Sequence, residues 1–223
     1  MKQAPIQLRF AVVAVDVVVL SFIDGELQGL VTPVHRPPHY IHTQGFVGGI
    51  IKANENTDEA ATRILNEKGG VAVSYLEQLY TFSRVDRDKR NRVVSVGYLA
   101  FVPPQEAEKY EHGDGRFVPL KQLKSLAYDH DEMLKTALER LQGKLSYTTI
   151  ARFLVNKNFT LSELQQVYES ILQTTFDKRN FRKKILSLGI VVETGERQSG
   201  VKNRPAQLYT FPNKKIIEIP LIS

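Results

Sequence analysis

Residues 49–71 read GIIKANENTDEAATRILNEKGGV and determine how the first half of this chain folds. A pair of glycines follows an apolar segment, and a second pair ends a polar, helix-forming run. Asn56 or Thr57 is suited to cap a helix, because a short polar side chain accepts hydrogen bonds from the free N–H groups of a first turn. The stretch therefore predicts a short strand, a loop and a helix over residues 57–68.

The stretch resembles the signature of the Nudix hydrolases, G-x5-E-x7-R-E-U-x-E-E-x-G-U, in which U is an aliphatic residue. The positions that agree with this signature are Gly49, Glu55, Arg63, Leu65, Glu67, Gly70 and Val71. Two positions depart from it, because Ile64 and Lys68 stand where the family has glutamates. The resemblance implies an α+β fold that begins with a Nudix-like α/β/α sandwich around a mixed sheet.

The two departures affect catalysis, because positions 64, 67 and 68 share one helix face. Nudix enzymes cleave diphosphate linkages with Mg²⁺, a hard cation that requires oxygen ligands. Ile64 offers no ligand, Lys68 repels a cation, and Glu67 is expected to pair with a neighbouring base. We therefore expect no catalytic residues, metal or cofactor. The alternative is a working hydrolase with rearranged ligands from Glu55, Glu59 and Glu67.

Length and composition favour one or two globular domains in the cytoplasm. The chain has 223 residues, of which 42% are hydrophobic, and no cysteine, which is typical of a reducing compartment. The N-terminus is basic and then apolar, like a signal peptide. Asp16 interrupts the apolar run, however, and no small-residue cleavage site follows, so a buried strand is the better interpretation.

Charge is distributed unevenly along the chain. Residues 1–142 contain 17 Lys and Arg against 18 Asp and Glu, whereas residues 143–223 contain 13 against 6. A basic module joined to a nearly neutral one indicates a polyanionic partner on one side only. A solvated basic tail is the alternative.

Apolar runs and turn residues predict the remaining elements of the first domain. These are a strand over 10–22, a hairpin turn at Asp24 and Gly25, strands over 27–34, 45–51, 75–85, 92–102 and 117–118, and helices over 120–126 and 130–142, the last ending at Gly143. Residues 35–44 are predicted to be a loop over a ligand pocket. Their three histidines match no standard zinc spacing.

Four arginines and one glutamate near this pocket are candidates for binding or supporting the binding of a phosphorylated effector. The candidate effector-binding residues are Arg36, Glu55, Arg63, Arg84 and Arg87. Arg84 lies at the end of the strand that precedes the tip DRDKRN (86–91), and Arg87 lies in this tip. The alternative is that the charged tip is merely solvated. An alternative role for Arg63 is structural: it would brace the loop by forming an ion pair with Glu55.

The last third has the pattern of a winged helix-turn-helix. Thr160 and Glu163 form a capping box, and the apolar residues that follow recur at the i, i+3, i+4, i+7 spacing of one buried helix face. Asp177 is suited to cap a second helix over 178–188, which ends at Gly189. Residues 190–194 and 207–211 are predicted to form the wing.

The second helix and the wing carry the bases expected to contact DNA. The candidate DNA-binding residues are Lys178, Arg179, Arg182, Lys183, Lys184, Lys202 and Arg204. A recognition helix of this kind enters the major groove, where Arg and Lys contact phosphates and base edges. An RNA-binding or protein-docking winged helix is the alternative.

Three further stretches resemble the Nudix-related transcriptional regulators of the NrtR type. They are LAYDHDEML (126–134), FTLSELQQVYESIL (159–172) with FRKKI (181–185), and NRPAQLYTF (203–211), in which Asn203 replaces the glycine of a G-R-P-A-x-x-Y wing signature. The resemblance implies a bacterial transcriptional repressor with an effector domain over 1–142 and a DNA-binding domain over 143–223. It also implies a homodimer on palindromic double-stranded DNA and an effector such as ADP-ribose or a related nucleotide or sugar.

Overall fold

The computed structural model of the chain describes residues 10–199, 205–213 and 215–220. The candidate DNA-binding residues Lys202 and Arg204 lie outside this part. The described strands are β1 (Val12–Ile23), β2 (Glu26–Arg36), β3 (Tyr40–Gly45), β4 (Val47–Ile50), β5 (Tyr75–Phe82), β6 (Val93–Phe101), β7 (Arg116–Pro119), β8 (Val192–Arg197) and β9 (Gln207–Thr210). The described α-helices are α1 (Thr57–Ile64), α2 (Pro104–Ala107), α3 (His130–Tyr147), α4 (Leu161–Leu172) and α5 (Lys178–Ser187).

The first seven strands form one mixed sheet between two helical layers. The order is β3-β2-β1-β6-β5, with β4 paired to β1 and β7 to β2, and only β1 and β6 run parallel. Side chains alternate along β1: Val15 and Val17 join the core beneath α1, whereas Val18 and Leu20 join the core beneath α3. A strand buried on both faces explains the nearly continuous apolar run. The predicted α/β/α sandwich is confirmed.

The hairpin β2–β3 replaces the loop predicted over residues 35–44. Strand pairing continues from Thr32 opposite Gly45 to Arg36 opposite Tyr40, and the two prolines lie in the turn. Proline is tolerated there because a turn does not need its missing N–H donor. The predicted helix over 120–126 is also wrong, because only the single 3₁₀ turn Leu120–Gln122 forms.

The helix predicted over residues 57–68 is α-helical only as far as Ile64. Helix α1 is capped by Asn56, whose side chain accepts from the backbone N–H groups of Asp58 and Glu59. After Ile64 the chain continues as a π-helical turn, Leu65–Gly69, and Gly70 closes it at φ 59°. Such turns are typical of functional sites in helices.

Helix α3 joins the two domains, and the prediction that it ends at Gly143 is wrong. It continues to Tyr147 because Leu141 and Leu145 are fully buried in a core that includes the sheet and the winged helix. This burial outweighs the cost of about 1 kcal/mol, relative to alanine, of placing a glycine inside a helix. The boundary predicted between residues 142 and 143 therefore falls inside a continuous helix.

Contacts on both sides of α3 fasten this junction. The ring of Tyr75 lies 5.2 Å from that of Phe101 in the sheet and 5.2 Å from that of Phe153, which belongs to the 3₁₀ turn Ile150–Phe153. Gln142 donates to the carbonyl oxygen of Ile171 at 2.9 Å. The domains thus meet without a tether.

Gly143→Ala is expected to raise the free energy of unfolding by about 0.5–1 kcal/mol, because alanine loses less backbone entropy in a helix. A Cβ at this position meets no atom within 4 Å. The matched control is Gly189→Ala, which is equally uncrowded but sits at φ 63° and should destabilise. Urea unfolding measures both changes, and a loss of stability in Gly143→Ala would contradict the expectation.

The C-terminal part is a winged helix-turn-helix. Helix α4 begins with the predicted Thr160–Glu163 capping box, and Asp177 caps α5 by accepting from the N–H of Asn180. Strands β8 and β9 form the wing. No helix in the described part of the chain combines the length and apolar character needed to cross a membrane.

Candidate effector site and DNA-binding surface

Glu55 and Arg63 brace the loop in front of α1. Arg63 donates from Nε and Nη2 to the two carboxylate oxygens of Glu55, at 2.8 and 2.6 Å, and from Nη1 to Glu67 at 3.2 Å. The backbone N–H of Lys52 also donates to Glu55 at 2.8 Å. The hydrogen bonds from Arg63, together with that of Lys52, lower the pKa of Glu55 to about 2. The carboxylate is therefore ionised and fully engaged.

Two cations of the Nudix-like stretch 49–71 bind carbonyl groups on the edge of β4 that faces away from β1. Arg63 Nη2 donates to the carbonyl oxygen of Ile50 at 3.1 Å, and Lys68 Nζ donates to that of Gly48 at 2.6 Å. The N–H of Ile51 points at β1, where it donates to Val13, so the carbonyls of Gly48 and Ile50 point away from β1. These two side chains thus satisfy backbone acceptors of β4 that its pairing with β1 leaves free.

The residues of this face do not fit a Mg²⁺ ion. Ile64 is fully buried in the core, Glu67 pairs with Arg63, and the ammonium of Lys68 lies where a second glutamate would be. Glu59 accepts from the N–H of Asn56 in the capping box. Within residues 10–199, 205–213 and 215–220, no three His, Asp or Glu side chains are grouped to hold a metal, and this includes the three histidines of the β2–β3 hairpin.

Arg87 lies in a buried ionic network instead of facing solvent. Its guanidinium donates to both carboxylate oxygens of Asp129, at 2.9 and 2.8 Å, and to Asp16 at 3.0 Å. Ser95 donates to Asp16 at 2.7 Å. Burial would raise the pKa of Asp16, but hydrogen bonds and charges from His130, Arg87 and Ser95 outweigh it and lower the pKa to about 2. The network joins β1, the β5–β6 tip and the start of α3.

Two close approaches complete this network. A Cβ on Gly48 would lie 1.8 Å from Asp16 Oδ1, so only glycine leaves room for the carboxylate. His130 is fully buried, and its Nδ1 accepts from the N–H of Phe46 at 2.9 Å. Its Nε2 lies 3.7 Å from Asp16 Oδ1.

The remaining effector candidates are exposed. Arg84 pairs with Asp86 at 2.9 Å and with Glu132 at 3.5 Å, and Arg36 donates to the neighbouring carbonyl of His35 at the end of β2. The structure thus joins Glu55 with Arg63 and places Arg84 and Arg87 on one tip. The role of all five residues in effector binding stays a prediction.

Helix α5 presents bases opposite its buried side. Phe181 and Ile185 pack in the core. Four bases of this helix are exposed and form no ion pair within the described residues: Lys178, Arg179, Arg182 and Lys183. Lys184 is half-buried at the flank. An unpaired row of cations on one helix face is suited to the phosphates that flank a major groove.

Buried polar groups hold the turn before α5. Gln165 donates to the carbonyl oxygen of Phe176 at 2.9 Å and to Glu169 at 2.8 Å, and Glu169 accepts from the N–H of Phe176 at 2.8 Å. The wing is tied to the same helix, because Arg182 donates to the hydroxyl of Tyr209 at 3.3 Å and this hydroxyl donates to Glu193 at 3.1 Å. The angle of α5 and the position of the wing are therefore fixed together.

Comparisons with known proteins identify both domains. The family model described as the NUDIX domain matches residues 12–137, and that described as the NrtR DNA-binding winged helix domain matches residues 151–211. The chain is also 36% identical over 206 residues to a protein of Acinetobacter baylyi named ADPR responsive transcriptional repressor NtrR, covering 88% of this chain and 80% of that protein. The chain belongs to the NrtR family.

Solved structures extend the likeness to the NrtR family. The crystal structure of Shewanella oneidensis NrtR complexed with a 27mer DNA has a TM-score of 0.77 at 30% identity, covering 89% of this chain and 93% of that one. The NUDIX domain of the same NrtR complexed with ADP ribose has a TM-score of 0.52 at 28% identity, covering 62% of this chain and 93% of that one. The predicted family membership and the predicted fold class, a Nudix-like part followed by a winged helix, are confirmed.

The buried network of this NrtR-family chain was not predicted from the sequence. Two signals were available, since Asp16 interrupts an apolar run and Asp129 and His130 belong to the NrtR-like stretch 126–134. The pairing of these residues with Arg87 was not predictable, because Arg87 is 71 positions from Asp16 in the chain. Its guanidinium contacts two carboxylates of its own protein, and its role in effector binding stays a prediction.

Proposed function

We propose that this NrtR-family chain is a transcriptional repressor that binds double-stranded operator DNA as a homodimer and senses ADP-ribose, or a related nucleotide, in its Nudix-like domain. The cationic face of α5, which forms no ion pair within the described residues, carries the proposal. Two relatives support it, because one is called an ADPR responsive transcriptional repressor and another was solved both with DNA and, as its NUDIX domain, with ADP ribose.

Helix α3 offers a physical route between the two sites. Its first residues belong to the network with Arg87 at the β5–β6 tip, and its last turns lie in the core of the winged helix. A ligand that displaces the tip would rotate or shift α3, and with it the recognition helix. Such coupling requires a difference in ligand affinity of only about 1–3 kcal/mol between the two arrangements.

The proposal includes the loss of the usual Nudix hydrolysis. Mg²⁺ would have to be held by several oxygen ligands, whereas Glu55 and Glu67 are engaged by Arg63, and Glu59 accepts from the capping N–H of Asn56. Lys68 adds a positive charge on the same face. We therefore propose that ADP-ribose is bound and released intact.

The test begins with duplexes selected by the purified protein from a random pool. ADP-ribose is expected to change the dissociation constant of the selected duplex by at least about fivefold, and the duplex to change that of ADP-ribose by the same factor, because coupling free energies are reciprocal. No selected duplex, or no mutual effect, would contradict the proposal. Incubation with ADP-ribose and Mg²⁺ checks the remaining part, and turnover at ordinary Nudix rates would establish the rival hydrolase.

A further inference from the structure

The ammonium group of Lys68 occupies an unusual environment on the face that lacks metal ligands. It is exposed, and it donates to the carbonyl oxygen of Gly48 at 2.6 Å. No carboxylate lies within ion-pair distance of it among the described residues, although Glu67 is its chain neighbour and pairs with Arg63 and Lys52. An ammonium has three donors, so this one keeps two for another partner.

The anchor of this ammonium fixes where the two free donors lie. The carbonyl oxygens of Gly48 and Ile50, which bind Lys68 and Arg63, are two residues apart on the same side of β4 and therefore roughly 6–7 Å apart. Lys68 and Arg63 are thus held side by side along one strand edge. Holding the long side chain of Lys68 in one position costs side-chain entropy, which the hydrogen bond to Gly48 offsets.

The ion-paired cluster next to Lys68 carries an excess of positive charge, although Asp58 and Glu59 line the same cavity as Arg63 and Glu67. Glu55 and Glu67 supply two negative charges, and Lys52, Arg63 and Lys68 supply three positive ones, so the formal charge is +1. Glutamates at positions 64 and 68, as in the Nudix signature, would make the same group −2. The arrangement with glutamates at positions 64 and 68 needs a divalent cation before it tolerates a diphosphate. The arrangement in this chain attracts a diphosphate without a cation.

We propose that Lys68 is a phosphate-binding residue of the effector site, and that its ammonium replaces the divalent cation, so that a nucleoside diphosphate binds without Mg²⁺. This rests on the proposed function, because ADP-ribose is the ligand. One ammonium neutralises the diphosphate only partly and leaves no metal to activate water. The same substitution therefore accounts for retention of the ligand and for the absence of cleavage.

The experiment measures ADP-ribose affinity of the full chain by calorimetry, in excess Mg²⁺ and in EDTA. Wild-type affinity is expected to be the same in both. Lys68→Met should bind about tenfold more weakly in both, as expected for one lost charge-assisted contact, about 1.4 kcal/mol, and its affinity should depend less on salt. Lys68→Arg should largely restore both properties, because it keeps the charge. The matched control is Lys135→Met, which removes an exposed lysine of α3 that pairs with Glu139.

The outcomes separate this inference from the proposed function. If wild-type protein binds ADP-ribose but Lys68→Met binds it equally well, or if wild-type binding requires Mg²⁺, the inference is overturned and the ADP-ribose sensor stands. If wild-type protein does not bind ADP-ribose at all, the proposed effector and this inference fall together. Thermal unfolding of Lys68→Met shows whether losing the bond to Gly48 affects folding, and the Mg²⁺ and salt readouts do not depend on that bond.

Discussion

Replacing Arg182 and Lys183 together by alanine is expected to weaken the binding of a selected duplex at least about tenfold while leaving ADP-ribose affinity unchanged. Both side chains are exposed on α5 and form no ion pair in the described part of the chain. Each phosphate contact that is lost should also reduce the slope of log K against log salt by about 1. Fluorescence anisotropy over a series of salt concentrations measures both quantities.

A control variant that loses the same charge distinguishes direct DNA contacts from a general electrostatic effect of the protein's charge. Lys121 and Lys135 are exposed lysines of the first domain that pair with Glu26 and Glu139. Their double replacement by alanine removes the same two charges and should leave duplex affinity nearly unchanged. Equal losses in the two double variants, or unchanged affinity in the α5 variant, would reject α5 as the recognition helix. Because Arg182 also contacts Tyr209, circular dichroism must show that the variant is folded.

The largest effect on stability is expected from Arg87→Met, which should lower the free energy of unfolding by about 3–5 kcal/mol. Arg87 is buried between Asp16 and Asp129, and its removal leaves two carboxylates without their cation. The matched control is Arg84→Met on the same tip, whose exposed pairs with Asp86 and Glu132 are screened by solvent and should contribute little to stability. Urea unfolding compares them, and equal losses would contradict the assigned network.

Acid should distinguish the two variants further. The pKa of Asp16 is lowered from 3.8 to about 2 in the folded protein, so its ionised form contributes stability that is present above pH 3.8 and lost as the pH falls towards 2. Without Arg87, one cause of the lowered pKa is removed and part of this acid sensitivity should disappear. Arg84→Met should change the profile little, because Asp86, the carboxyl whose pKa Arg84 lowers, is exposed and its ion pair is screened by solvent. A profile unchanged in Arg87→Met would show that Arg87 does not stabilise the Asp16 carboxylate.

Local sequence rules predicted most elements of this chain. The turn at Asp24 and Gly25, both at positive φ, the caps at Asn56, Thr160 and Asp177, and the closing of α5 by Gly189 follow from chemistry within a few residues. Motif spacing likewise identified the altered Nudix box and the winged helix. These features are readable because each depends on neighbours in the chain.

Errors occurred where distant packing outweighed a local signal. Gly143 is a reasonable helix end by propensity, yet α3 continues because Leu145 is buried by residues far away in the chain. Residues 35–44 contain two prolines and were assigned to a loop, yet their flanks pair as β2 and β3. The buried surroundings of Arg87 were not predicted, because Asp16 and Asp129, which enclose it, come from distant parts of the chain.

The order of residues alone was enough to establish two domains, an altered diphosphate-hydrolase signature and a basic helix-turn-helix, because periodicity, caps and motif spacing are local properties. Folding in three dimensions was needed to pair Arg87 with carboxylates from two other elements and to place Lys68 on the carbonyl of Gly48. These contacts join residues that are far apart in the chain. Burial and strand edges, which arise only when the sheet and helices assemble, select which charged side chains meet.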